Sequence, residues 1–514
     1  MLFNSYIFIF IFLPVTLLGY YLINHFKKYS IAKLFLAGMS LWFYAYFNLY
    51  YLFIIIGSVI FNYSLSYIID RYYRKNSSSV SESMQKIFLL TGVLANLSLL
   101  FYFKYFDFLL DNINYFFNAG LRLHNILLPL GISFFTFQQL SFIIDRAKLK
   151  APHYNFTNYL CFVTFFPQLV AGPIVLYEEM IPQFEDKNKK SFNTDNFSKG
   201  LMFFVIGLSK KVLLADVLAM PANHGFSNAG FLDTPSVLVT ALCFTFQLYF
   251  DFSGYSDMAI GLGRMFNIEL PVNFNSPYHA TTVKEFWQRW HITLSKFFFR
   301  YVYIPAGGSR KGKLRTTFNV FLVFFLSGIW HGANWTFFIW GAAHGLMVAF
   351  DNLYLIGSVP ANANQNSSDS KKQKVPKIKL PRFVGWLYTF MFWSLSLLFF
   401  GSDSISTSIT MFKNLFAFKN TGYIYKLASS INTSEFYLVN KAVSMKAPQY
   451  SNYVYLFLLC LVLVISALVI KAKNARQIVL ERPLTTKKAV GFAVLFIWCV
   501  ISFSQISTFI YFNF

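Results

Sequence analysis

Ser327-Gly328-Ile329-Trp330-His331-Gly332-Ala333-Asn334-Trp335 lies between two apolar runs, 316–330 and 335–350. An unpartnered histidine is costly to desolvate, so one set between two lipid-compatible segments points to chemistry at that position. The flanking runs belong to a series that sets the fold class. Apolar runs recur at 2–23, 31–48, 49–69, 87–106, 126–144, 198–218, 237–263, 383–400, 453–470 and 489–511, close to the length that crosses a hydrocarbon core of ~30 Å. With the 316–350 pair they predict an all-α polytopic membrane protein of roughly a dozen transmembrane helices. The first run lacks a small-residue cleavage site and leads at once into another span, so it is expected to be a retained helix and not a removed signal peptide.

Composition agrees. With 56% apolar, 21% aromatic and 13% charged residues in 514, the chain is not an ordinary soluble globule. The net charge of +23 comes from lysines and arginines scattered over short loops, which argues for topology and against a nucleic-acid surface. Clusters at Lys27-Lys28-Lys33, Arg71-Arg74-Lys75, Arg146-Lys148-Lys150, Lys187-Lys189-Lys190, 284–315, 371–382 and 471–488 are all expected on the cytoplasmic side, which places both termini and the 401–452 loop outside. Cys161, Cys243, Cys460 and Cys499 stand singly in apolar runs, with no disulfide or metal spacing, and read as small core residues. Residues 154–175 sit between basic loops and contain Phe166-Pro167-Gln168 and Ala171-Gly172-Pro173. They read as a re-entrant segment, with a kinked full span as the alternative. The polar stretch Asn362 to Lys379 reads as a flexible cytoplasmic linker. No internal or inverted repeat is visible, which a transporter often shows.

Several polar groups accompany His331. In the segment 284–300, Glu285, Arg289, Lys296 and Arg300 share one helical arc and Trp287, Trp290, Leu294, Phe297 and Tyr301 the other, which predicts one interfacial amphipathic helix with His291 at the edge of its apolar face. Basic loops on both sides make 316–350 a hairpin. Its first arm, 316–330, spans ~22 Å, which sets the His331 apex below the outer surface. Two readings stand open for His331, a bystander in an outer aromatic belt or a buried functional group. His344 in the returning arm favours the second, since buried histidines need partners and can supply one another. Asp251 and Asp257 are too far round a helix to form a pair. Asp251 can orient a histidine or join an ion pair, for instance with Arg264. Arg310, Lys311, Lys313 and Arg315 in the 307–315 loop are either topological charge or a phosphate-receiving patch without Walker spacing. Tyr511 is either an interfacial anchor or an acyl relay.

Phe286-Trp287-Gln288-Arg289-Trp290-His291-Ile292-Thr293-Leu294-Ser295, Tyr303-Ile304-Pro305, Gly307-Gly308, the 327–335 stretch and Trp340-Gly341 together resemble the bacterial branch of the membrane-bound O-acyltransferase family. Leu128-Pro129-Leu130-Gly131-Ile132-Ser133-Phe134, Phe166–Pro173 and Asp251–Asp257 support it, so the motif-bearing core covers about residues 126–350. The look-alikes are the membrane proteins of alginate and peptidoglycan O-acetylation and of teichoic-acid D-alanylation. The resemblance implies one integral-membrane acyltransferase domain over 1–514, a helical shell around a central funnel, and His331 and His291 as the catalytic histidines. Asn334, Trp330, Trp335, His344, Asp251, Arg289, Arg310, Lys311 and Arg315 are the candidate substrate-contacting residues. No metal and no permanently bound cofactor are expected. The expected donor is acetyl-CoA or an acyl-carrier thioester on the cytoplasmic side, the acceptor an extracytoplasmic polysaccharide, and a separate extracytoplasmic or membrane-anchored transferase is expected to finish the transfer. D-alanyl transfer to teichoic acid, a transporter with histidine proton relays, and a non-enzymatic scaffold are the alternatives.

Overall fold

The computed structural model describes residues 1–75, 81–354, 356–357, 378–481, 485–505 and 509–510. These are helical apart from connecting loops and one two-residue parallel pairing, Ile356–Gly357 with Ile378–Lys379. The rest of the expected 362–379 linker lies outside the described residues, as does Tyr511. Two compact units partition the chain.

The first comprises Met1–Leu208, Tyr255–Val272 and Arg482–Asn513. Its helices are α1 (Phe8–His25, opening with a π turn), α2 (Tyr29–Ala45), α3 (Leu49–Lys75), α4 (Glu82–Phe117), α5 (Ile132–Ala147), α6 (Phe156–Thr164), α7 (Phe166–Leu169), α8 (Tyr177–Glu185) and α9 (Thr194–Ser209). Helix α5 is the core, with all but one of its residues buried. Gly131 starts it at φ 69°, where a Cβ would stand 2.7 Å from the Leu169 carbonyl oxygen, so only glycine suits the turn. A polar network joins α3, α4, α5 and α6. Asn62 and Asn96 exchange amide hydrogen bonds (3.1 and 2.7 Å), Asn62 also donates to Gln139 Oε1 (2.9 Å), Gln139 donates to Ser58 Oγ (2.9 Å), and the Tyr159 hydroxyl donates to Gln139 Oε1 (3.2 Å). Among apolar helices, such mutually satisfied groups specify which faces meet. The 154–175 segment is broken at Phe165 between α6 and α7, and residues 158–175 are buried, which shelters the non-helical backbone from lipid in either the re-entrant or the kinked-span reading.

The second unit comprises Ser209–Gly254 and Asn273–Glu481. It contains a π turn at Lys210–Ala215, α10 (Asp216–Ser227), most of α11 (Thr234–Met265), α12 (Val283–Arg289), α13 (Ile292–Phe298), α14 (Gly312–His331), α15 (Trp335–Tyr354) and α16 (Arg382–Phe400). A long apolar helix, Ser451–Lys471, lies near its end.

Six helices among the described residues are long and apolar enough to cross a membrane: Phe8–His25, Leu49–Arg74, Glu82–Phe117, Thr234–Met265, Arg382–Phe400 and Pro448–Lys471. The chain is therefore an all-α membrane protein, and these six are the ones among the roughly a dozen expected spans that length and apolarity identify. The run 126–144 yields a helix of 16 residues, 489–511 another of 16, and 198–218 is interrupted by the π turn. Helices α14 and α15 have the length but carry His, Trp, Asn and Thr within them.

Candidate active site

The hairpin forms, but its first arm is longer than the apolar run. Helix α14 begins at Gly312 and has 20 residues, about 30 Å, because Lys313, Arg315 and Thr316 are helical although polar. A short arm is therefore not what buries His331. Burial comes from close packing of α14 on α15: a Cβ on Gly328 would stand 2.5 Å from the Phe337 carbonyl oxygen and 2.7 Å from the Gly341 Cα, so the backbones touch where only hydrogens fit. His331 is the last residue of α14 and 3% exposed. Its ring lies edge-on to Trp340 (5.2 Å, 89°) and within 5.2 Å of Phe400 and 4.9 Å of Trp330.

His291 does not lie on a continuous helix. Trp290 is extended and His291 left-handed (φ 44°), so the 284–300 segment splits into α12 and α13. Residues 273–275 impose the break. Ile292 N–H donates to the Asn273 carbonyl (3.0 Å), Asn275 N–H to the Arg289 carbonyl (2.9 Å), and the Thr293 N–H and hydroxyl to Asn273 Oδ1 (3.3 and 3.0 Å). Amphipathic periodicity carries no information about such a segment. Fully buried, His291 places Nδ1 3.2 Å from Asn273 Oδ1. That oxygen only accepts, so Nδ1 carries the proton and Nε2 the lone pair. Burial pushes the imidazole pKa down to about 3, which keeps the ring neutral at physiological pH. Phe252 meets it edge-on at 4.8 Å and Trp330 at 6.0 Å. The Trp330 indole therefore packs against both candidate catalytic histidines.

His344 is fully buried and differently employed. Trp287 Nε1–H, a donor only, gives a hydrogen bond to His344 Nδ1 (3.2 Å), so Nε2 is protonated and donates to Ser396 Oγ (3.0 Å), whose hydroxyl donates to the Trp393 carbonyl (2.7 Å). The sequence expectation that the buried histidines supply one another is thus not what holds His344, whose partners are an indole and a hydroxyl, and His291 Nδ1 is taken by an amide oxygen. Both ring nitrogens of His344 are committed, which makes it a residue that holds Trp287. Substituting leucine leaves the Trp287 indole N–H unsatisfied and takes one donor from Ser396, whose own bond to the Trp393 carbonyl stays, a cost of about 1–3 kcal/mol. We expect His344→Leu to lower the melting temperature and reduce but not abolish acyl transfer, measured by differential scanning fluorimetry and product assay. Complete loss of activity in a fully folded variant would contradict this assignment.

The other candidates are placed as follows. Asp251 pairs with Lys211 (2.6 Å), which also meets Asp216 (2.8 Å), all three buried; its cation is Lys211, where the sequence offered Arg264. Arg289 grips Glu285 Oε1 through Nε and Nη2 (3.1 and 2.9 Å) and donates to the Asn275 carbonyl (3.3 Å). Asn334 accepts from Thr336 N–H (3.0 Å) at the start of α15 and donates to the Asp403 carbonyl (2.7 Å), a capping role. Trp335 is 45% exposed and packs on Phe338. Arg310, Lys311 and Arg315 are exposed, and Arg315 donates to the Ala306 carbonyl.

A cavity of about 930 Å³ opens between α12, α13 and α14; its lining holds chain neighbours of His291 and His331 but none of the three histidines. Its walls include exposed Lys284, Lys296 and Lys313 and buried Trp287, Leu294, Phe298 and Ser327, so it grades from a cationic rim to an apolar interior. Ser327 stands one helical turn before His331, and Ile292 directly follows His291. Arg310, Lys311 and Arg315 do not line this space. Sequence reasoning missed Asn273, Ser396, Lys211 and the lining role of Lys284 and Lys296. Asn273 and Ser396 carry no signal that separates them from other polar residues, whereas a Lys210-Lys211 pair inside an apolar run was a signal available to be used.

Comparison with known proteins completes the picture. The profile of the membrane-bound O-acyltransferase family matches residues 131–360. The chain is 37% identical to the peptidoglycan O-acetyltransferase of Helicobacter pylori across all of this chain and 98% of that protein. It is 36% identical to the probable alginate O-acetylase AlgI of Pseudomonas aeruginosa, over 81% of this chain and 75% of that one, and 27% identical to the teichoic acid D-alanyltransferase of Streptococcus thermophilus, over 53% and 68%. Extended identity across a chain with these helices and this histidine-bearing hairpin establishes that the protein is an acyltransferase belonging to the membrane-bound O-acyltransferase family.

Proposed function

We propose that this chain moves acetyl groups from a cytoplasmic thioester, acetyl-CoA foremost, towards an extracytoplasmic polysaccharide, with peptidoglycan the first candidate and alginate the second. The observation that carries the reading is the cavity, in which a lysine rim suits the phosphates of a thioester carrier, apolar walls suit its pantetheine arm and acyl group, and Ser327 lies a turn from His331. The full-length identity to a peptidoglycan O-acetyltransferase favours that acceptor. In the proposed step, His331 takes the proton of an acceptor hydroxyl as its oxygen attacks the thioester carbonyl. The new C–O bond forms, the C–S bond breaks, and the proton passes to the departing thiolate. His291, neutral and with its lone pair on Nε2, supports the same centre by accepting or relaying a proton. The membrane is the inner one, both termini lie outside, and a second transferase outside the membrane finishes delivery to the glycan. D-alanyl transfer from a carrier protein remains the second reading, on the likeness to a D-alanyltransferase; family membership leaves the transporter reading without support.

Mass spectrometry of envelope glycans tests the proposal. A strain lacking the chain is expected to lose O-acetyl esters from peptidoglycan and to regain them on complementation. Intact O-acetylation with lost D-alanine esters would replace the proposal with the second reading. With purified protein and isotope-labelled acetyl-CoA, Lys296→Glu combined with Lys313→Glu is expected to raise the donor KM about tenfold or more while kcat is kept. An unchanged KM would remove the cavity as the donor site.

A further inference from the structure

Far along the sequence from the histidines, the first unit buries a cationic cluster that the transfer reaction does not use. Lys190 follows the short 3₁₀ turn Lys187–Lys189 and is 4% exposed, and its ammonium has no hydrogen-bond partner among the described residues. The turn is held from both sides: Asn267 Nδ2 donates to the Lys189 and Ser191 carbonyls (3.2 and 2.7 Å), and Lys189 Nζ donates to Gln183 Oε1 (2.7 Å). The inward course of Lys190 is therefore fixed by its neighbours.

Its surroundings are cationic. Lys33 and Cys161 lie within electrostatic reach of Lys190. The Cys161 thiol donates to the Lys33 carbonyl (3.3 Å), and Lys33 Nζ donates to Asn158 Oδ1 (2.5 Å), an amide whose Nδ2 is given to Glu185 Oε1 (2.5 Å). Asp186 is the other nearby carboxylate, and its side chain caps the turn by accepting from Asn188 N–H (2.9 Å). On α1, Tyr20 is within reach of Cys161 and beside Asn24, whose side chain is 5% exposed and lacks a well-formed hydrogen bond. Burial, and then the Lys33 charge, lower the Lys190 pKa to about 8. Two ammonium groups close together, one buried without an acceptor, form an arrangement that a water molecule does not neutralise and an oxyanion does.

We infer that Lys190 and Lys33 form a phosphate-binding site within the first unit. The ligand class is a phosphate mono- or diester, carried by an anionic phospholipid or by a soluble phosphate. A lipid source suits the location, because Ile31 and Leu34, on either side of Lys33, are 52% and 58% exposed and offer apolar surface to acyl chains.

Native mass spectrometry of the full chain tests this, with phosphatidylglycerol and inorganic phosphate supplied separately as probes. One retained phosphatidylglycerol, lost about tenfold in Lys190→Met and in Lys33→Gln, supports the lipid form. A phosphate-dependent rise in melting temperature that both variants lose, without a retained lipid, supports the soluble form. Neither probe binding, or binding equal in wild type and variants, overturns the site. Lys33 is only partly buried, so Lys33→Gln keeps the comparison informative if Lys190→Met fails to accumulate. Donor KM is expected to stay unchanged in both variants, which separates this site from the cavity.

Discussion

His331→Ala is expected to abolish acyl transfer, with a fall of at least 10²–10⁴-fold, the range of general acid–base catalysis, while the folded amount in membranes stays near that of the wild type. The geometry separates the two effects. His331 ends its helix, so no backbone hydrogen bond beyond it depends on the side chain, and the rings of Trp330, Trp340 and Phe400 are among the groups packed around it. Truncation leaves a small void among rings that remain packed on other neighbours, a modest loss beside the loss of a proton acceptor. His331→Gln, close in volume, controls for the void. Fluorescence-detected size-exclusion chromatography reports the folded amount and ester release from the glycan reports transfer. Activity persisting in either variant would reduce His331 to a packing residue.

Lys211→Met carries the largest expected effect on folding. Lys211 is 1% exposed and lies between Asp216 (2.8 Å) and Asp251 (2.6 Å), themselves 8% and 2% exposed. Methionine preserves much of the volume and removes the cation that two buried carboxylates share. Removing one partner of a buried ionic group costs about 3–5 kcal/mol, enough to unfold many domains. The variant is expected to disappear from the folded fraction. Neutralising all three groups, Lys211→Met with Asp216→Asn and Asp251→Asn, is expected to restore folding in large part, since no unpaired charge remains. If the single variant folds with an unchanged melting temperature, the triad contributes nothing measurable. The neighbouring residues make the triad matter to the site as well: Lys210 reaches Ser253 Oγ (3.4 Å), and Phe252 between these anchors packs on His291.

What could be read from the chain alone follows from the range of each interaction. Apolar run length is local, so the major membrane helices and the 316–350 hairpin were legible. So was the oddity of His331 and His344, because a polar residue in an apolar run is visible without its partners. The break at Trp290-His291 was not, since it is imposed by Asn273 and Asn275 from an extended segment upstream, while 284–300 keeps a sound helical periodicity. The first arm of the hairpin was cut short because Gly312–Arg315 looks like loop, yet a helix end reaching water can carry those residues. Asp251 was seen as a buried carboxylate, but its cation lies on a π turn, and a π turn alters which side chains share a face by inserting a residue into the helical register. Apolarity alone does not say whether a run forms one uninterrupted helix, so six of the expected spans are matched by helices long and apolar enough among the described residues.

The reciprocal Asn62–Asn96 pair has a bearing on how the chain is assembled. Synthesis delivers α3 and α4 to the membrane before α5 exists, so any amide reserved for Gln139 would meet lipid in the interval. Because each of the two asparagines offers the other both a donor and an acceptor (3.1 and 2.7 Å), and each also donates to a carbonyl of its own helix, Ser58 or Gly92, the early hairpin needs no later partner. Gln139 then arrives as an addition to a closed pair, sharing one of the two Asn62 amide hydrogens with an acceptor already in place. Order of insertion is thereby made compatible with polar cargo: α3 and α4 form a self-sufficient intermediate, and the core helix docks on a template that is already complete.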